Sequence, residues 1–312
     1  MASTLVIILA ETRAWNSTFA LFEKNLLNVF RADLALCVAD NPREDKNNLF
    51  YQRANYVWQS KEYEDWGEGL EHLVKNHHPQ WRKLLQIRNQ WLGGIRGEHE
   101  QPGSGGILLY FRAFLRKSLL ESGVLDRYQR FIVTRSDFVY PTPHVPPGLL
   151  DNKYIWIPDG EQWGGYTDRH ILCPADKILP TLAVADILTC DPGVVIAEMK
   201  HKQNWNLEKY LQLHMQKSGL AESVRLFPYT MFTVREPGGH TSWSEGTFDP
   251  VGKVYIKYGS EHVRARLARI LLGNGAWSRS RIIAFSLLCP LVVFVGMRIY
   301  RLKLKFGKTR SP

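Results

Sequence analysis

Leu5 to Ala10 is an unbroken apolar run rich in β-branched residues, the pattern of a parallel strand covered on both faces. Trp15, Phe19, Phe22, Leu26 and Val29 then recur at helical spacing, and Asp33 to Ala39 reads as a second strand. This βαβ opening predicts an α/β fold with a mostly parallel sheet flanked by helices. From Tyr56 to Leu92 the chain is rich in Trp, His and charge, and Pro79 is expected to divide two helices there. Glycines between Gly93 and Gly106 mark a loop, after which Ile107, Leu108, Phe111, Phe114, Leu115 and Leu119 predict an amphipathic helix ending near Gly123. Two strands follow, one in the run from Arg130 to Tyr140 and one from Tyr154 to Ile157. Ala175–Leu188 and Asn206–Gln216 predict helices, the second capped by Asn206, and Val224–Val234 and Val251–Lys257 predict late strands. One domain is expected over residues 1–260.

The pattern changes near the C-terminus. Glu261 to Leu272 is a basic amphipathic segment, so residues 261–274 are expected to form a juxtamembrane helix lying on an anionic bilayer. Ile282 to Met297 carries no charge over sixteen residues, with Arg279 and Arg281 before it and Arg298, Arg301, Lys303 and Lys305 after it. A spanning helix prefers ~20 residues, and snorkelling basic flanks extend this one to an expected single-pass transmembrane anchor at 281–300, with a basic tail at 301–312. A buried core helix is the plainer alternative. Both flanks are basic, so charge does not set the orientation. The N-terminal apolar run is short and lacks a basic flank, and reads as a strand instead of a signal peptide.

The net charge of +10 belongs to this tail. Eleven Lys and Arg lie between Arg264 and Arg310 with no acid among them, and the 40 basic residues less these eleven leave 29 against 30 acidic ones. The body is near neutral, which favours a membrane surface and argues against nucleic acid as a partner. Cys37, Cys173, Cys190 and Cys289 form no CxxC pair, which points away from zinc clusters and disulfide frameworks and towards a reducing compartment. The globular part is therefore expected to face the cytosol.

Polar residues that a core does not need gather where apolar runs end. Thr134-Arg135-Ser136-Asp137 closes one strand; Asp159-Gly160-Glu161, Gly164-Gly165 and Asp168-Arg169-His170 follow the next. Open α/β sheets bind ligands at the carboxyl ends of their strands. Asp137 beside a diphosphate suits a hard divalent cation, Mn²⁺ or Mg²⁺, and Arg135 suits a phosphate oxygen; the plain alternative is a capping Asp paired with Arg135. Asp159, Glu161 and Asp168 suit sugar hydroxyls and base chemistry, against the alternative of a solvated hairpin. Glu11-Thr12-Arg13 follows the first strand, where a βα turn meets a nucleotide. No GxGxxG, GxxxxGK[ST], GxSxG or HExxH occurs, so dinucleotide, P-loop and triad chemistries are poor readings. His240 reads as an ordinary loop residue, Glu208 as solvent-facing, and His77, His78, Trp58, Trp66 and Trp81 as packing or surface groups.

In the order LVIILAETRAW, DLALCVAD, YEDW, RFIVTRSDFVY, IWIPDGEQWGGYTDRHIL and NLEKYLQLHM, residues 4–235 resemble a loosely defined family of glycosyltransferases. That family is similar to WavE-type lipopolysaccharide synthesis proteins and to sequences from algae and large algal viruses. The resemblance implies a GT-A-like domain that presents an acidic motif to a metal-bound nucleotide-diphosphate sugar. Asp137 would take the metal-binding place, with Arg135 beside it, while Asp159, Glu161 and Asp168 would line the sugar and acceptor side. Arg13, Arg169 and His170 would help hold the donor. Asp168 is then the expected base, acting on a hydroxyl of a glycan or lipid-linked acceptor. The chain offers Arg135-Ser-Asp137 in place of a full Asp-x-Asp, which keeps a second expectation open: a catalytically inactive, membrane-tethered binding protein on the same scaffold.

Overall fold

The computed structural model describes residues 3–87, 91–200, 205–238, 246–273 and 277–307; His240 lies outside them. Eleven strands are found among these residues, β1 (Thr4–Ala10), β2 (Asp33–Ala39), β3 (Tyr56–Ser60), β4 (Arg130–Thr134), β5 (Phe138–Val139), β6 (Ile155–Asp159), β7 (Ile171–Pro174), β8 (Val224–Pro228), β9 (Phe232–Arg235), β10 (Thr247–Asp249) and β11 (Val254–Ile256). Seven form one sheet in the order β3-β2-β1-β4-β7-β6-β8, and the rest a small antiparallel sheet, β10-β11-β9-β5.

In the large sheet, Leu5 lies opposite Asp33 of β2 and Phe131 of β4, both parallel. β6 and β8 are parallel to each other, while β7 runs against β4 and β6. The expected mostly parallel α/β sheet is therefore present, with one reversed strand inside it.

Alternation along β1 divides the core. Leu5, Ile7 and Leu9 pack beneath Leu109, Phe111, Leu115 and Leu119 of the helix Gly105–Ser122. Val6 and Ile8 face Phe19, Phe22 and Leu26, from the helix Trp15–Phe22 and the π turn Glu23–Leu27 that continues it. Burial on both sides is why β1 reads as a continuous apolar run.

Three segments differ from expectation. The Trp- and His-rich stretch is not two helices: Tyr56–Ser60 pairs with β2 as an edge strand, Trp66–Leu73 is helical, and Trp81–Gln86 is a 3-10 turn. Val224–Val234 splits at Pro228 into β8 and β9, which belong to different sheets. Ala175–Leu188 breaks after Leu182, just beyond Pro180.

The helix Gly259–Leu272 does not lie free on a surface; its first turn enters the body, with Glu261 fully buried. It packs lengthwise against the helix Arg279–Gly307, where Phe285 and Cys289 are buried against Leu267, Ala268 and Leu272. The opposite face leaves Ile283, Leu287, Leu291 and Phe294 between 56% and 75% exposed. A core helix would be covered there. Arg279–Arg298, with a mean hydropathy of 2.0, is long and apolar enough to cross a membrane.

Candidate functional site

The chain runs from β1 to β2 to β3 on one side of the sheet and then returns to place β4 on the other side of β1. Loops at such a reversal diverge and open a crevice at the strands' carboxyl ends. Here those loops are residues 11–15 and 135–137, joined by a hydrogen bond from the Ser136 hydroxyl to the Glu11 carbonyl oxygen, 3.0 Å. Ala10 (φ 79°) and Ala14 (φ 55°) adopt the left-handed conformation that alanine disfavours, and such strain gathers at functional sites.

Between these loops and the turn after β2 lies a cleft of about 330 Å³, lined by Arg13, Trp15, Arg43, Glu44, Arg235 and Glu236 among others. Glu44 ties its walls together. Its carboxylate accepts the Thr12 backbone N–H at 2.6 Å, the Thr12 hydroxyl, and the Tyr51 hydroxyl at 3.1 Å. Arg13 pairs with Glu11 at 2.8 Å at the mouth.

Asp137 sits behind this cleft, 1% exposed. Arg135 donates to both its oxygens, at 2.9 and 2.8 Å, and Arg235 adds a further ion pair. Burial pushes this carboxyl up, but the two guanidiniums outweigh it and hold it far below the usual carboxylate range. The residues present do not fit a divalent cation. Both carboxylate oxygens are taken by cations, and no cluster of three His, Cys, Asp or Glu side chains converges among the described residues. A hard cation needs several free oxygens, and two adjacent guanidiniums would repel it.

The GYTDRH segment lies at the same edge, in the loop that leaves the carboxyl end of β6 and enters β7. Asp168, Arg169 and His170 precede β7, at its amino end, and β7 is antiparallel to its neighbours. Its amino end therefore lies beside the carboxyl ends of β1, β4 and β6. Asp168 and Arg169 both act electrostatically on Arg135, so the two motifs share one charged region.

The side chains in that region have distinct partners. Arg169 is buried, paired with Glu261 and stacked over the Tyr258 ring at 4.6 Å; Glu261 also accepts the Tyr229 hydroxyl at 3.0 Å and the Thr233 N–H at 2.6 Å. Arg112, buried in the helix Gly105–Ser122, donates to the Asp168 carbonyl oxygen at 2.8 Å. Asp168 faces Glu208, whose carboxyl is pushed up to about 7 by burial and by the Asp168 charge. Glu208 is thus not the solvent-facing residue its sequence position predicts. Glu161, at φ 52°, accepts the Ser260 hydroxyl at 2.6 Å and acts on both Glu208 and Glu261. Two expected site residues stand apart. Asp159 is exposed, on the side facing Cys289 of the C-terminal helix.

His170 is fully buried, stacked on His144 with ring centroids 5.1 Å apart, and its Nδ1 meets the Thr134 hydroxyl at 3.0 Å. It is an enclosed core residue, and burial followed by the neighbouring His144 pushes its imidazole well below the usual range.

Arg112, Arg235, Lys257 and Glu261 complete the charged region with Glu208, and the sequence marks none of these five as a site residue. One signal was available. Glu208 lies three residues before Leu211, which puts it on the margin of the buried helix face. Lys257 is pushed down to about 7, by burial and then by Arg235, Arg135 and Arg169, with Asp137 offsetting part of this.

No protein-family model matches the chain, and no curated protein matches it.

Proposed function

We propose that the chain is a membrane-anchored glycosyltransferase on a GT-A-like scaffold, moving a sugar from a nucleotide-diphosphate sugar to a glycan or lipid-linked acceptor. The observation that carries this reading is the pairing of two functions at one sheet edge. Two arginines of the cleft suited to a diphosphate, Arg13 and Arg235, with Arg135 paired to Asp137 behind them, share one charged region with a carboxylate pair, Asp168 and Glu208, suited to moving a proton.

In this reading the acceptor oxygen forms a bond to the anomeric carbon as the bond to the diphosphate oxygen breaks. The acceptor proton passes to Asp168, and the leaving diphosphate gains negative charge that the arginines offset. Glu208, with a carboxyl near 7, is matched to taking that proton onward at neutral pH. Glu161 is placed to accept hydrogen bonds from sugar hydroxyls. Because the residues around Asp137 do not fit Mn²⁺ or Mg²⁺, no step passes through a metal. Arg279–Arg298 serves as the membrane anchor, with the globular part on the cytosolic side.

A catalytically inactive binding protein is the second reading, favoured by the neutralised Asp137. It retains donor binding and lacks turnover. A thermal-shift screen of the full chain in detergent against UDP-, GDP- and dTDP-sugars tests what both readings share. A saturating donor is expected to raise Tm by roughly 5 °C, with competition by its own nucleoside diphosphate. No shift with any donor would overturn both.

A further inference from the structure

The helix Arg279–Gly307 carries no charge over the sixteen residues from Ile282 to Met297, yet one side of it is already occupied by protein. Trp277, just ahead of it, donates its indole N–H to the Pro143 carbonyl oxygen at 3.1 Å, so the helix starts pinned to the body. Phe285 and Cys289 are then buried against Leu267, Ala268 and Leu272, and at Gly296 a Cβ would lie 2.9 Å from a methyl of Val263. Contact with the helix Gly259–Leu272 therefore extends from Phe285 to Gly296, about 16 Å at ~1.5 Å per residue. That is roughly half of a hydrocarbon layer ~30 Å thick. The shorter helix cannot follow its partner into that layer. Glu261 in its first turn is held by Arg169 and the Thr233 N–H, Arg264 donates to the Cys289 sulfur at 3.7 Å, and Arg266 and Arg269 are exposed. Charged groups beside the middle of a spanning segment are costly. Beyond Gly296 the sequence turns basic at Arg298, Arg301, Lys303 and Lys305, so no free apolar length is left to cross.

We propose that the helix Arg279–Gly307 lies in the plane of the membrane surface instead of spanning it, still docked on the body. Its stripe of Ile283, Leu287, Leu291 and Phe294 enters the acyl boundary, and the arginines at both ends engage anionic headgroups. The inference rests on the membrane-anchor part of the reading above and deepens it. The stripe follows i, i+4, i+8 and i+11, one face of a helix, and it is the face turned away from the body. Arg279 and Arg281 at one end and Arg298 at the other are exposed, and Arg298 stacks over the Phe294 ring at 4.5 Å, which brings charge to the rim of the apolar stripe. An apolar face with basic flanks is how in-plane helices hold an anionic bilayer. A second copy of the chain is a poor occupant. No acidic residue lies between Arg264 and Arg310, so pairing the helices in either direction would set arginines against arginines, and like charges juxtaposed disfavour an interface.

A cross-link tests this. A Cβ on Gly296 would lie 3.7 Å from the Val263 Cβ, within the ~3.5–4.5 Å that a disulfide bridges. Val263→Cys with Gly296→Cys, in a Cys190→Ser background that removes the exposed native thiol, should therefore lock the two helices together. The readout is flotation of the full chain, after detergent removal, with vesicles of phosphatidylcholine made with and without phosphatidylglycerol. Expected are flotation of the locked protein equal to wild type, binding weaker by ~tenfold or more without phosphatidylglycerol, and a loss of ~tenfold or more in Leu287→Asp/Leu291→Asp. Both leucines are exposed, so that variant should keep the wild-type Tm, and lost binding then is not lost folding. Flotation that fails when the lock is closed and returns on reduction would overturn the in-plane placement and leave a spanning anchor standing. A lock that does not close would overturn the docked helix, and equal binding to both kinds of vesicle would overturn the anionic surface. A vesicle-free dimer that Leu287→Asp/Leu291→Asp dissociates would make a second copy the occupant and overturn the proposal. No flotation of any form would take the membrane-anchor reading down with it.

Discussion

A Cβ placed on Gly165 would lie 2.0 Å from the carbonyl oxygen of Glu208 and 2.4 Å from the Lys209 nitrogen. The glycine turn before GYTDRH is pressed backbone to backbone against the first turn of the helix Leu207–Lys217, and the Tyr166 N–H donates to the same carbonyl at 2.9 Å. Asn206 caps that helix through the Lys209 N–H and also donates to the Trp163 carbonyl, 3.0 Å away. This contact fixes Glu208 opposite Asp168. Gly165→Ala is expected to push the loop off the helix, lowering Tm by several degrees in a thermal melt and weakening any activity that needs the carboxylate pair.

The Asp168–Glu208 pair leaves a signature in stability. The Glu208 carboxyl titrates near 7 when folded against an ordinary value of 4.5, so the folded state holds its proton more tightly than the unfolded state. Its ionised form is therefore a penalty, absent below about pH 4.5 and growing to roughly 3 kcal/mol at most as pH rises past 7. Glu208→Gln is expected to raise Tm at pH 8 and leave it unchanged at pH 5. An equal change at both values would show that Glu208 is not strained by its neighbour.

Asp137→Asn leaves a buried guanidinium, Arg235, and a partly buried one, Arg135, without a counter-charge. Breaking a buried pair from one side costs ~3–5 kcal/mol, so urea unfolding should show a loss of that order. A variant as stable as wild type would mean that the carboxylate is not the structural anchor described here.

Much of the fold is legible from periodicity. β1, β2 and the helix Gly105–Ser122 follow from apolar runs and 3.6-residue spacing, because each is held by burial that sequence records directly. The polarity of β7 is not so recorded. Sequence places Asp168 and Arg169 after the strand that becomes β6, and they do lie in the loop between β6 and β7. What it does not record is that β7 then returns against β4, which sets the end of this loop beside the one that holds Asp137. His170 alternates with Arg169 and so points into the core; a one-residue difference in register separates a site neighbour from a packed imidazole. Arg235, Lys257 and Glu261 were illegible for another reason: they lie 98 to 124 residues beyond Asp137 in number, and only tertiary contact reveals ionic partners.

Glu261 links the C-terminal helices to the site through Arg169. Glu261→Gln keeps the shape but removes the charge facing that guanidinium. Hydrogen exchange across residues 259–272 is expected to quicken in this variant, together with exchange in the loop holding Asp168. Protection unchanged in both segments would show that the helix is held by its apolar contacts alone.

The most direct test of the enzymatic account is release of nucleoside diphosphate from whichever donor binds, measured with EDTA present, for wild type and Asp168→Asn. Turnover by wild type that falls ~100-fold or more in Asp168→Asn, with donor affinity unchanged, is the predicted result. A donor that binds tightly yet is never cleaved, or one cleaved equally well by both proteins, would contradict it.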